Sequence, residues 1–135
     1  MGKALGIDYG LKKTGLSISD NARKIAFSLT TVRTKDLNKY LFNLIEKEKV
    51  DVFVVGYPIN LDGKITDATN HVQGFIKRLK IDFPNIPINK FDERFTSKIA
   101  KQTIVNSGLN KKNRRNKELV DKVSATIILQ DYLSK

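Results

Sequence analysis

Four consecutive apolar residues, Val52-Phe53-Val54-Val55, stand between Asp51 and Gly56. Successive residues of a strand point to opposite faces of its sheet, so a strand apolar at every position is buried on both sides. This run therefore predicts a sheet covered by helices, and the flanking segments supply them. Leu37, Leu41, Leu44 and Ile45 share one helical face, with Thr34 as the expected cap and Asp36 in the first turn. Val72, Phe75, Ile76 and Leu79 form a second apolar stripe in a helix predicted over Asp67 to Lys80, which Phe83-Pro84-Asn85 ends. Ile86 to Asp92 reads as the next strand. Thr96 or Ser97 then caps a short helix that stops at Gly108, and a last helix runs from about Lys117 to Leu133.

Ahead of these elements, Lys3 to Tyr9 and Thr14 to Asp20 read as a β-hairpin, and Ile25 to Val32 follows the Asp20-Asn21 turn as a third antiparallel strand. A strand–helix–strand repeat after a meander gives an α/β fold: a mixed five-stranded sheet, three antiparallel strands and then parallel ones, with helices packed on it. The 135 residues suit one domain spanning 1–135.

The hairpin carries an acid, Asp8, at the end of its first strand, and Gly10 and Gly15 are expected to permit the backbone turns around it. A carboxylate there must be satisfied by a hydrogen bond, a cation or a metal. Ligands of α/β sheets gather at the carboxyl ends of strands, and Asp92 and Glu93 end the fifth strand. Asp121 shares a helical face with Ala125, Ile128 and Tyr132, an extension of a buried stripe; its competing role is to favour the positive end of the helix. Three acids without cysteine and with a single histidine describe a site for a hard cation, Mg²⁺ or Mn²⁺. Two such ions about 3.5–4 Å apart can activate a water and stabilise the leaving oxygen of a phosphodiester. Asp8, Glu93 and Asp121 are the expected ligands and catalytic acids, for one ion or two. Asp92 is a possible additional acid; alternation leaves both residues open, and Glu93 is preferred for its longer reach.

The chain holds 25 Lys and Arg against 14 Asp and Glu, a net charge of +11. That balance favours a polyanionic partner, nucleic acid first. Lys12, Lys13 and Arg94 flank the acids and either hold phosphate or compensate a neighbouring carboxylate. Arg114 and Arg115 lie in the basic run Asn110 to Lys117, a solvated loop or a phosphate clamp. Thr96 joins the phosphate-binding set. Asn60, like Asp62, is a turn former or a substrate contact, and His71 is read as a surface or packing residue. No apolar run approaches the roughly 20 residues of a membrane span. The start runs straight into a strand, so no signal peptide is expected, and a cytoplasmic location follows.

Four segments together resemble the YqgF/RuvX family, described as Holliday junction resolvases and as pre-16S rRNA nucleases. They are Gly6-Ile7-Asp8-Tyr9-Gly10 with Gly15; Gly56-Tyr57-Pro58-Ile59-Asn60-Leu61-Asp62-Gly63; Asp92-Glu93-Arg94-Phe95-Thr96-Ser97; and Asp121 through Ala125, Ile128, Leu129, Gln130, Asp131, Tyr132 and Leu133. The resemblance implies an RNase H-like fold and metal-dependent phosphodiester hydrolysis, with acids at Asp8, in the Asp92-Glu93 pair and at Asp121. It also implies an RNA endonuclease that processes the 5′ end of pre-16S rRNA, with structured RNA and ribosomal precursor particles as partners. The alternative is a resolvase of four-way DNA junctions. Such an enzyme pairs two sites across a two-fold axis, so monomer and homodimer both stay open. Readings of other classes are a nucleic-acid-binding regulator without catalysis, and a sugar-kinase-like or actin-like ATPase, which needs two domains. The family pattern carries arginine where this chain has Lys13, an arginine in the region of Lys64 to Asn70 that is not evident here, and two alanines where it has Ser124-Ala125. Lysine keeps the charge but loses the bidentate fork. No base-reading element is visible, so shape or partner proteins are expected to supply specificity.

Overall fold

The computed structural model describes residues 2–58, 63–92 and 117–134, and in the last segment side chains from Val123 onward. Strands β1 (Lys3–Asp8), β2 (Lys13–Ser19) and β3 (Ala26–Arg33) open the chain. A 3₁₀ turn (Thr34–Asp36), helix α1 (Leu37–Glu48), β4 (Val50–Tyr57), α2 (Asp67–Asp82), β5 (Ile88–Asp92) and α3 (Lys117–Leu133) follow. The sheet order is β3-β2-β1-β4-β5. β1, β2 and β3 pair antiparallel, and β1, β4 and β5 pair parallel, as the sequence predicts.

β4 is buried on both faces, and its alternate residues enter two different cores. Phe53 and Val55 join Leu5, Ile7 and Leu16 against Leu37, Leu41 and Leu44 of α1 and Val72, Phe75, Ile76 and Leu79 of α2. Val52 and Val54 join Ala4 and Phe91 against Ile128 and Leu129 of α3. Phe53 has no exposed surface, and Phe83, just past α2, meets its ring edge-on at 5.6 Å.

The α3 side of β1 and β2 is lined by small residues. A Cβ on Gly6 would lie 2.9 Å from Leu129 Cβ and 3.1 Å from the Ala125 carbonyl oxygen, and would collide with Ser17 Oγ. Ser17 Oγ donates to that same Ala125 carbonyl at 2.7 Å. The helix can sit this low only because Gly6 lacks a side chain.

Several expectations need correction. Thr34 does not cap α1: the helix begins at Leu37, and neither it nor the 3₁₀ turn before it has a side-chain cap. The Thr34 hydroxyl is instead committed to the hairpin. Gly15 lies inside β2, paired with Asp8, and makes no turn. Gly10 has no positive φ; its need for glycine is a close approach to the Lys13 carbonyl. β5 starts at Ile88, later than predicted, because Pro87 has no N–H to give the ladder. Its carbonyl still accepts from Phe53 N at 2.9 Å. α2 is capped by Thr66 in a reciprocal box with Thr69. The box is hard to read in sequence because a threonine holds the position usually given to Glu or Gln. The short helix predicted after Thr96 lies outside the described residues. No helix among the described residues is long and apolar enough to cross a membrane.

Candidate active site

Because β1, β4 and β5 run parallel, their carboxyl ends share one edge of the sheet, at Asp8, Tyr57 and Asp92. The pleat decides where each side chain points. Ala4 packs on α3 and Gly6 lies directly beneath it, so Asp8, next in that alternation, takes the α3 face. Asp8 is half-buried and lies opposite Gly15, which puts no side chain beside it.

Asp92 goes the other way. Phe91 packs in the α3 core and Asn89 donates to Tyr132 OH of α3 at 2.8 Å, whereas Ile88 packs on the α1/α2 core. Alternation therefore places Asp92, which is exposed, on the face opposite Asp8. Glu93, Arg94, Thr96, Asn60, Asp62, Arg114 and Arg115 lie outside the described residues.

α3 brings Asp121 toward the same end as Asp8. Gln130, near the far end of the helix, accepts from Ala26 N at 2.9 Å and donates to the Lys24 carbonyl at 3.1 Å, beside the amino end of β1. Ala125 stands over Gly6 and Ser17. The helix thus runs from the Asp8 end to the opposite end of the sheet. Asp121 lies one turn, about 6 Å of rise, beyond Ala125 toward Asp8; its side chain is outside the described set. Among the described residues no three His, Cys, Asp or Glu side chains form a metal-holding group.

The loop after Asp8 is fixed from a distance. Thr34 Oγ1 donates to the Gly10 carbonyl at 2.6 Å and lies 2.9 Å from Thr14 Oγ1, and Thr34 N donates to the Lys12 carbonyl at 2.9 Å. Thr14 is fully buried. Nothing in the sequence links Thr14 to a residue twenty positions away, so this clamp was not legible there. Lys12 is exposed at the tip, and Lys13 pairs with Arg33 in the ladder. On the α2 side, the Tyr9 ring stacks on Phe75 with centroids 4.4 Å apart, and its hydroxyl accepts from Arg78 at 3.4 Å. Tyr9, Gly10 and Leu11 line a cleft of about 380 Å³ with Asp67, Ala68 and His71. His71 is exposed and lines this cleft, in keeping with the surface alternative of the sequence reading.

A family model described as "RuvX: Holliday junction resolvase" matches residues 2–135. The chain belongs to the RuvX family. A RuvX-family relative from Flavobacterium psychrophilum is 44% identical over 135 residues, covering 100% of this chain and 98% of its own length. One from Amoebophilus asiaticus is 48% identical over 134 residues, covering 99% and 95%. Both carry the name "Putative pre-16S rRNA nuclease". Among solved structures, T. thermophilus RuvC in complex with Holliday junction substrate aligns with a TM-score of 0.59 at 15% identity, over 95% of this chain and 92% of that one. The yeast mitochondrial Holliday junction resolvase aligns at 0.56 and 15% identity, over 96% and 77%. At that identity the likeness speaks for the fold, which is the RNase H-like fold the sequence resemblance implies.

Proposed function

We propose that the chain is a single-domain, metal-dependent endonuclease that hydrolyses phosphodiester bonds in structured RNA and processes the 5′ end of pre-16S rRNA in the cytoplasm. The observation that carries this reading is full-length identity of 44–48% to relatives named for that activity. The geometry is consistent with it. Asp8 stands at a strand end on the α3 face, and α3 carries Asp121 toward it. Asp92 is the weaker candidate, because Asn89 and Phe91 take the α3 side of β5 and alternation turns Asp92 from it; the role is therefore assigned to Glu93.

Asp8, Glu93 and Asp121 would together hold one or two Mg²⁺ or Mn²⁺ ions, an all-oxygen set of the kind hard cations prefer. Bound there, the metal supplies activation of a water and neutralisation of the charge that develops on the phosphodiester. The chain's own part is to hold its carboxylates in place. β1 does so through its ladder, and the Thr34–Thr14 clamp keeps the adjoining loop from shifting. Lys12 and Lys13 set positive charge next to Asp8 for a backbone phosphate, and Arg94, Thr96, Asn60, Arg114 and Arg115 are assigned to further phosphate contacts.

The second reading, a resolvase of four-way DNA junctions, is favoured by the description of the family model itself. The same acids would serve both, so the site does not separate them. Competition between a ribosomal RNA precursor and junction DNA does: the RNA should be bound and cut in preference. Preferential junction cutting by a homodimer would replace the RNA reading with the resolvase.

A further inference from the structure

α2 and β5 leave a second cleft between them, about 310 Å³, lined by Gln73, Ile76, Lys77, Lys80 and Lys90. It lies on the α1/α2 side of the sheet, the side away from Asp8. Ile76 is buried and forms its floor. Gln73, Lys77 and Lys80 follow at helical spacings of four and three, so they form one wall along about 10 Å of α2. Lys90 supplies the other wall, and its position is held. Its Nζ stands 5.0 Å from the centroid of the Tyr57 ring, and the Tyr57 hydroxyl accepts from Gln73 Nε2. Among the described residues no carboxylate lines this cleft.

We propose that this cleft is a second docking groove for the phosphate backbone of the substrate, separate from the acid site. The inference rests on the reading of the substrate as nucleic acid. Three lysines, with no lining acid among the described residues, concentrate part of the +11 surplus in one concave place. Lys77 and Lys80 lie about one turn apart on α2 and Lys90 lies on β5, so the charges are spread over two elements and suit the backbone of a strand. Lysine is a point charge on a flexible stem, which neutralises a backbone and reads no sequence. β5 is an edge strand of the described sheet. A nucleic acid that reaches both sites crosses from one face of the sheet to the other, and binding in the groove would fix its direction across the acids.

The test is binding of a labelled single-stranded RNA in chelator, at salt concentrations from about 50 to 200 mM. Wild type is compared with the triple variant Lys77→Gln, Lys80→Gln, Lys90→Gln. A second triple, Lys35→Gln, Lys39→Gln, Lys47→Gln, removes the same charge from exposed positions elsewhere. Melting curves of all three proteins establish that they are folded. With about 0.7 of a counterion released per phosphate of a single strand, the groove variant should lose about 2 from the slope of log affinity against log salt, and roughly 10–100-fold in affinity near 0.1 M salt. The control triple should lose much less. Equal losses in the two triples, or none in the groove variant, would overturn the groove while leaving the nuclease reading intact. Wild type that binds no RNA at any salt would remove both.

Discussion

Asp8 sits where the pleat of β1 aims it at α3 and where Gly15 leaves its flank open. Replacing one ligand of a metal-dependent hydrolase removes several kcal/mol of transition-state stabilisation. The two neighbours Asp92 and Glu93 provide the sharper residue-scale test, because the pleat of β5 turns Asp92 away from the Asp8 face. Glu93→Gln should lower kcat on the order of a thousandfold, whereas Asp92→Asn should stay within about tenfold of wild type. A larger loss at Asp92 would overturn the assignment of Glu93. The sequence supplies both acids but no ground for ranking them beyond side-chain length. The case against Asp92 comes from Phe91 and Asn89 facing α3, a contact between elements far apart in the chain.

Away from the site, Asp20 accepts the Lys24 and Ile25 N–H groups at 2.8 and 3.2 Å. These bonds, with the Lys24 charge adding to them, hold its carboxyl below the usual carboxylate range. A group whose pKa falls on folding lends stability above its unfolded pKa and loses it as pH drops through the folded value. Carboxyl NMR titration should therefore show Asp20 ionised at pH values where free aspartate is already protonated. Asp20→Asn should flatten the acid limb of the stability profile, and an unchanged limb would show that the turn does not depend on this charge.

At the scale of elements, the apolar pattern predicts most of the fold. The unbroken run in β4 and the stripes of α1 and α2 are local signals, and the structure reproduces them. The seat of α3 is written more faintly, in the alternation of Ala4, Gly6 and Asp8 with large residues and in Gly15, Ser17 and Ser19 across from them. Gly6→Ala would press a methyl group into Ser17, Leu129 and the Ala125 carbonyl. Overpacking of this kind costs about 1–3 kcal/mol, readable as a lower urea midpoint. A neutral result would show that α3 can rise off the sheet without penalty. α1 ends differently: Lys49 occupies the left-handed region at φ 52, and its N–H reaches the Ile45 carbonyl at 3.2 Å. Glycine is the residue that region favours, so Lys49→Gly should raise stability by about 0.5–1 kcal/mol. Thr34 stands before a helix, where sequence predicts a cap, but its hydroxyl serves the hairpin tip, a partner that only the folded chain brings near.

For the whole molecule, a two-sided sheet brings the ends of three parallel strands to one edge and lays α3 across the face where Asp8 points. The chain's net charge of +11 favours a polyanionic partner. Family membership supports a nuclease, and metal-dependent phosphodiester hydrolysis at Asp8 is the proposal to be tested. The direct test is cleavage of a pre-16S rRNA precursor and a four-way DNA junction, side by side, with Mg²⁺, Mn²⁺ or chelator. It is run for wild type and Asp8→Asn. The account predicts metal-dependent cutting of the RNA by wild type and a loss on the order of a thousandfold in the variant. Equal cutting by Asp8→Asn, or full activity in chelator, would contradict it.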